Sequence, residues 1–208
     1  TSPYIVENGA ALVIPSGSFG ETHARVHSFG ASREEILTVL AELRVRGFLF
    51  RGFADMGVEE LAGLTGLDND AAELARSRYA TEPLIWNGGE GDRQLEEFRT
   101  ELSARGLRLV RGGRFWHVMG NVDKADAVRF LLEKYRGRHP DTSLISVALG
   151  DSPNDEQMLA TADIAVVIPN PLVEAIRLPT HVRVIRPDAP GPTGWNQAVM
   201  ALLDQYGF

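Results

Sequence analysis

Two rhythms of hydrophobic and polar residues divide the chain. From about residue 120 onward, unbroken apolar runs at 143–149 and 164–168 alternate with segments of helical period. Continuous apolar strands separated by helices predict a buried parallel sheet with right-handed crossovers. The helices are expected over 123–136, 153–162, 172–177 and 195–206, with a further strand at 182–185. Before residue 120 the pattern is more mixed. Short strands at 4–6 and 11–14 flank Asn8-Gly9, a hairpin signal, and a Ser/Gly-rich loop follows over 15–20. Ser32 with Glu35 forms a capping box that opens a helix over 33–46. Ile36, Val39, Leu40 and Leu43 make its apolar face, and Gly47 stops it. Strands at 48–52 and 83–86 and helices at 58–64, 68–78 and 92–105 come next. Residues 107–111 and 114–119 then read as a hairpin across Gly112-Gly113.

This rhythm gives a domain division. Residues 1–20 and 120–208 form an α/β core, and 21–119 form an α+β insert. The 208 residues are 44% hydrophobic and 24% charged, an ordinary globular composition that excludes disorder and collagen-like sequence. Lys and Arg number 21 against 28 Asp and Glu, for a net charge of −7. Such a chain is expected to bind neither nucleic acid nor an anionic membrane through its overall field, so an anionic ligand needs a local cluster of donors. The lack of cysteine rules out disulfides and thiolate chemistry and agrees with a cytoplasmic location. No apolar run is long enough to span a bilayer.

The most informative stretch is 149–155, Leu-Gly-Asp-Ser-Pro-Asn-Asp, between an apolar strand and a helix. Ser152 can cap that helix and Pro153 suits its first position. Asp151 then stands at the carboxyl end of a parallel strand, where open α/β sheets bind ligands, with Asp155 one helical turn on. With Asn154 they make an oxygen-donor set suited to Mg²⁺. The same two carboxylates would also be stabilised simply as charges at a helix N-terminus. Lys124, in the first turn of its helix, opposes the helix dipole unless an anion sits nearby, so it is either a phosphate-binding cation or a solvated lysine. A two-residue turn at Gly112-Gly113 would set Arg111 opposite Arg114. That repulsion is relieved by a carboxylate or phosphate between them, or by splaying both into water. His117 falls on the other strand face from Arg114. His23 and His27 lie in a segment without helical pattern and offer no metal-binding spacing.

The stretch 150–155, Asp123-Lys124 at a helix start and Glu7-Asn8-Gly9 together resemble the haloacid dehalogenase-like phosphatases. The stretches 112–117 (Gly-Gly-Arg-Phe-Trp-His) and 190–195 (Pro-Gly-Pro-Thr-Gly-Trp) are similar to the mannosyl-3-phosphoglycerate phosphatase family within them. The resemblance runs in order over essentially the whole chain. It implies a haloacid dehalogenase-like parallel-sheet core with an inserted α+β cap domain, and a Mg²⁺-dependent phosphomonoesterase. Its substrate would be a phosphorylated sugar-glycerate, mannosyl- or glucosyl-3-phosphoglycerate. An aspartyl nucleophile takes the phosphoryl group in this family, and water cleaves the phospho-aspartate. By the same resemblance Asp151 is a metal ligand, Asn154 and Asp155 support the metal shell and orient Lys124, and Lys124 stabilises phosphate. Asn8 lines the substrate cleft, Arg114 takes the glycerate carboxylate, and Arg111 and His117 join it at the substrate.

The family's first motif, Asp-x-Asp-Gly-Thr, is absent from 1–208, as is its second, a Ser/Thr at a strand end. The chain opens Thr1-Ser2-Pro3-Tyr4. The expectation is a fragment whose nucleophile lies upstream and which is catalytically dead and poorly soluble alone. The alternatives are another sugar-phosphate phosphatase of the same superfamily and a non-catalytic module that binds a phospho-ligand.

Overall fold

A computed structural model describes residues 2–88 and 93–207. They fall into two compact units, Thr1–Val122 and Asp123–Phe208.

The first unit holds two antiparallel sheets. Strands β1 (Tyr4–Val6), β2 (Ala11–Ile14) and β3 (Arg25–Ser28) form one in that order. Strands β4 (Phe50–Gly52), β5 (Thr81–Trp86), β6 (Leu107–Arg111) and β7 (Trp116–Gly120) form the other, in the order β4-β5-β7-β6. Four helices join them: α1 (Arg33–Val45), α2 (Val58–Thr65), α3 (Asn69–Arg76) and α4 (Arg93–Ser103). The expected start of α4 at Asp92 lies outside the described residues. The capping box on α1 is present, with the Ser32 hydroxyl accepting from the Glu35 N–H at 3.3 Å and Glu35 accepting from the Ser32 N–H at 2.7 Å.

The period-2 alternation of the larger sheet gives it two different faces. Leu84, Trp86, Trp116 and Val118 point to one, where they pack on Ile36, Leu40 and Leu43 of α1 and Leu95, Phe98 and Leu102 of α4. The opposite face has two covers. Ile85 and Phe115 pack on Phe53, Met56, Leu61 and Ala72. Met119 and Val110 pack on Ala10, Ala11 and Ala80 beside the small sheet. Among the described residues of this unit, one charged side chain is fully buried. Glu82 accepts from the Arg33 guanidinium at 3.0 and 3.2 Å and from the Ala54 N–H at 2.7 Å. Burial outweighs these partners and pushes its pKa up.

The second unit is the parallel sheet that the apolar runs predict, in the order β10-β9-β8, from β8 (Val147–Gly150), β9 (Ile164–Val167) and β10 (Arg183–Ile185). Helices α5 (Lys124–Arg138), α6 (Glu156–Thr161) and α7 (Gly191–Tyr206) accompany it. Ala198 and Leu202 of α7 pack on Ile164, Val166 and Ile168.

Several expectations change. β3 has no counterpart in the sequence pattern, because all four of its residues are exposed and carry no alternation for a pattern to report. β8 begins at Val147 rather than at 143. The Asp163 carboxylate takes the Ser146 N–H at 2.8 Å and its hydroxyl at 2.6 Å, which fixes the chain just before the strand. The helix expected over 172–177 does not form. Pro171 and Pro179 break the segment, and the Asn170 side chain accepts the Leu172 N–H at 3.0 Å, a turn that competes with a helix start. β2 pairs with β3 within the first unit.

Candidate active site

The carboxyl end of β8 carries the best-built cluster of functional groups. Gly150 ends the strand, Asp151 leaves it exposed, and residues 153–155 make a single tight turn that leads into α6. That turn folds Asp155 back under the strand end. A Cβ on Gly150 would sit 2.6 Å from the Asp155 Cβ, so only glycine admits this close approach. Asp155 is 7% exposed. Its Oδ1 accepts from Lys124 Nζ at 2.6 Å, while Oδ2 accepts from the Ser152 hydroxyl at 3.2 Å and the Asp151 N–H at 3.3 Å. The one Ser152 hydroxyl hydrogen is thus shared between Asp155 Oδ2 and Asn154 Oδ1 rather than capping the helix as expected.

Lys124 reaches this point from the first turn of α5. Asp123 caps that helix, accepting the N–H groups of Ala125 and Asp126 at 2.7 and 3.2 Å. The Lys124 side chain is 24% exposed. Its unfavourable position at the positive end of a helix is offset by the Asp155 charge. The sequence alone did not foresee Asn170. It follows β9 in the run Pro169-Asn170-Pro171, and its amide donates to Asp151 Oδ2 at 2.8 Å. A residue just past the carboxyl end of the neighbouring parallel strand is the signal that could have found it. A cavity of about 440 Å³ borders Asp151 and is walled by Leu149, Ile168, Pro192 and Trp195.

Both Asp155 oxygens are engaged by donors, whereas Asp151 is exposed, with Asn170 as its one hydrogen-bonded side chain among the described residues. Among the described residues no group of three His, Asp or Glu side chains is gathered for a metal. Mg²⁺ does not need such a cage. It keeps several waters and binds through one or two carboxylates together with substrate phosphate, and exposed Asp151 fits that demand.

The other candidate residues lie in the first unit. The expected Arg111–Arg114 pairing is corrected. Arg111 stands opposite Trp116, the Gly112 N–H donates to the Phe115 carbonyl at 2.9 Å, and the turn lies one residue later than Gly112-Gly113. Gly112 serves a different need, since a Cβ there would meet His117 Nε2 at 2.7 Å. Arg111 lies over the Trp116 ring at 4.9 Å. Arg114 donates to the Thr65 and Leu64 carbonyls at 2.7 and 3.4 Å, at the C-terminus of α2. His117 is half-buried on β7. Burial lowers its pKa, the Arg78 charge lowers it further, and Glu7 opposes both. Asn8 is exposed in the turn between β1 and β2, with φ at 57°.

The sequence profile of the family described as haloacid dehalogenase-like hydrolase matches residues 93–182. A glucosyl-3-phosphoglycerate/mannosyl-3-phosphoglycerate phosphatase of Persephonella marina is 35% identical over 98% of this chain and 76% of its own length. A protein of the same name from Methanococcoides burtonii is 35% identical over 97% of this chain and 76% of its own. Among solved structures, a haloalkanoate-superfamily phosphatase from Bacteroides thetaiotaomicron superposes with a TM-score of 0.56 at 19% identity, covering 99% of this chain and 74% of that one. With that likeness running almost end to end, the chain belongs to the haloacid dehalogenase-like phosphatases.

Proposed function

We propose that the protein hydrolyses a glycosyl-3-phosphoglycerate, mannosyl or glucosyl, to the glycosyl-glycerate and phosphate, with Mg²⁺ as cofactor. The observation that carries the reading is the Lys124–Asp155 contact of 2.6 Å beside exposed Asp151 at the carboxyl end of β8. It puts a fixed cation and an open carboxylate together where a phosphoryl group can meet both. The names of the two relatives, each matched over almost all of this chain, supply the substrate class.

Asp151 would hold the Mg²⁺, with Asn154 at its margin. Bound Mg²⁺ would neutralise charge on the phosphoryl oxygens. Asp155 acts as a positioning residue, because its oxygens are spent on Lys124, Ser152 and the Asp151 N–H. Lys124 offers its remaining N–H donors to the phosphate and stabilises the charge that spreads over the transferring group. By the family resemblance the nucleophile would be an aspartate other than Asp151 and Asp155, whose oxygens serve the metal and Lys124. The bond from phosphorus to the glycerate oxygen breaks as the aspartyl–phosphorus bond forms, and water later cleaves the latter. Asn8, Arg111, Arg114 and His117 are the candidates for contact with the glycosyl-glycerate part.

The test is phosphate release by the full-length protein with Mg²⁺ from mannosyl-3-phosphoglycerate, glucosyl-3-phosphoglycerate and mannose 6-phosphate. Preferential turnover of one or both glycosyl-phosphoglycerates is expected. Release from mannose 6-phosphate alone would reject the substrate, and release from none of the three would reject the reaction.

A further inference from the structure

Asp151 and Asp155 flank a single turn, yet donors of different charge hold them. Asp155 accepts from the Lys124 ammonium at 2.6 Å, and that cation offsets its charge. Asp151 accepts from the Asn170 amide at 2.8 Å, an uncharged donor that fixes the carboxylate and leaves its negative charge unspent. The contact uses Oδ2. Among the described residues Oδ1 has no hydrogen-bond partner.

The backbone that carries Asn170 is pinned at several points, all within the second unit. The Ile168 N–H donates to the Gly150 carbonyl at 2.8 Å, continuing the β8–β9 ladder past the Gly150–Val167 pair, so the two strand ends leave the sheet side by side. Asn170 then stands between two prolines. The Pro169 ring fixes its own φ, and Pro171 disfavours helical backbone at Asn170. Asn170 Oδ1 accepts the Leu172 N–H at 3.0 Å. With its carbonyl end so used, the amide turns its NH₂ end to Asp151, and a flip would set oxygen against carboxylate and N–H against N–H.

We infer that Asn170 is a positioning residue that acts through Asp151 and biases the site toward Mg²⁺ over Ca²⁺. The inference rests on the reading that Asp151 holds the metal. Ca²⁺ takes roughly six to eight oxygens in a flexible shell and accepts both oxygens of one carboxylate, whereas Mg²⁺ demands a compact octahedron. A carboxylate whose Oδ2 is tied to an amide offers one oxygen to a cation. That suits Mg²⁺ and denies Ca²⁺ the second oxygen. A lysine or arginine would fix Asp151 as firmly, but its charge would compete with the metal. The neutral amide orients the ligand without that competition.

Calorimetric titration of the metal-free full-length protein with Mg²⁺ and, separately, with Ca²⁺ tests the inference without substrate. Asn170→Ser keeps a hydroxyl acceptor for the Leu172 N–H and loses the reach to Asp151. It should weaken Mg²⁺ binding by roughly tenfold or more, the usual loss when a metal ligand is deprived of its hydrogen-bond partner. Ca²⁺ binding should stay within about twofold or tighten, so the ratio of the two affinities moves toward Ca²⁺. Asn170→Asp also keeps the acceptor and loses the donor. It should move the ratio the same way by tightening Ca²⁺ more than Mg²⁺, and it replaces Asn170→Ser if circular dichroism shows that variant unfolded. A merely structural loss weakens both metals alike, so a ratio that is unchanged in the folded variant, or that moves toward Mg²⁺, overturns the inference. Undiminished Mg²⁺ binding in Asp151→Asn overturns it together with the metal reading. A ratio that moves toward Ca²⁺ in a protein that hydrolyses no glycosyl-phosphoglycerate upholds the role of Asn170 and rejects the substrate reading.

Discussion

Lys124 Nζ and Asp155 Oδ1 lie 2.6 Å apart, joining the start of α5 to the turn that follows β8. The pair is mostly shielded from water, so the lysine has one fixed direction rather than a sweep of rotamers. We expect Lys124→Met to lower kcat by roughly 100- to 1000-fold, the cost of removing one preorganised donor to transition-state charge. Asp155→Asn keeps the shape but loses the charge that holds Lys124, and it should lower kcat with a smaller effect on KM. Steady-state phosphate release by the full-length protein measures both. Unchanged kcat in Lys124→Met would remove Lys124 from the chemistry.

Asp151 separates metal binding from packing, because its side chain is exposed and accepts only from Asn170 among the described residues. Asp151→Asn should weaken Mg²⁺ affinity by an order of magnitude or more, as 10- to 100-fold losses are typical of altered metal shells, while leaving the melting temperature of the metal-free protein nearly unchanged. Titration calorimetry with Mg²⁺ and a thermal melt in EDTA give the two readings. Equal Mg²⁺ affinity in variant and wild type would move the metal elsewhere.

The buried Arg33–Glu82 pair predicts a stability effect with a definite pH dependence. Arg33→Met leaves the Glu82 carboxylate buried with only the Ala54 N–H as a hydrogen-bond donor. Breaking one side of a buried pair costs about 3–5 kcal/mol. The Glu82 pKa is already above 4.5 through burial, and loss of Arg33 raises it further. The folded state then holds a proton that the unfolded chain has released, so the penalty grows as pH rises from 4.5 through the folded pKa. It shrinks toward pH 4.5 and below. Urea melts at pH 7 and pH 4.5 should show a larger loss at the higher pH.

His117 gives the opposite sign. Its folded pKa lies below 6.5, chiefly through burial and then through the Arg78 charge. Between that depressed value and 6.5 the unfolded chain carries the proton and the folded one does not, so stability climbs with pH and the climb is complete above 6.5. His117→Gln should flatten this part of the stability profile. An NMR titration of the wild type should find the imidazole titrating below 6.5.

How far these features were legible in the sequence depended on how local their causes are. The α1 cap, the β1–β2 strands and the parallel order of β8 and β9 follow from residues within a turn or from unbroken apolar runs, and they stand where the pattern placed them. The hairpin after β6 was misread by one residue. Two adjacent glycines offered two turn positions, and the close approach of His117, which claims Gly112, is not written in the local pattern. The strand β3 and the failed helix at 172–177 were invisible for similar reasons, one lacking a buried face and the other answering to prolines and to the Asn170 side chain. In the site, Asp151 and Asp155 could be read from strand–glycine–aspartate spacing. Asn170 was harder to read, because only the pairing of β9 with β8 brings its amide to Asp151.

The Glu7 carboxylate accepts from the Tyr79 and Ala80 N–H groups at 2.7 and 3.0 Å and from the Thr81 hydroxyl at 2.7 Å, a clamp that bears on the order in which the chain can assemble. A hairpin closed by Asn-Gly normally forms early, from contacts a few residues apart. Here the turn holds two non-glycine residues in left-handed backbone, and the contacts that hold them come from 72 to 74 residues downstream. We therefore expect the register of β1 against β2 to be completed only once β5 has docked, a late step for the first strands of the chain. Substitutions at Glu7 should leave the folding rate little changed and speed unfolding, the kinetic mark of a contact absent from the transition state.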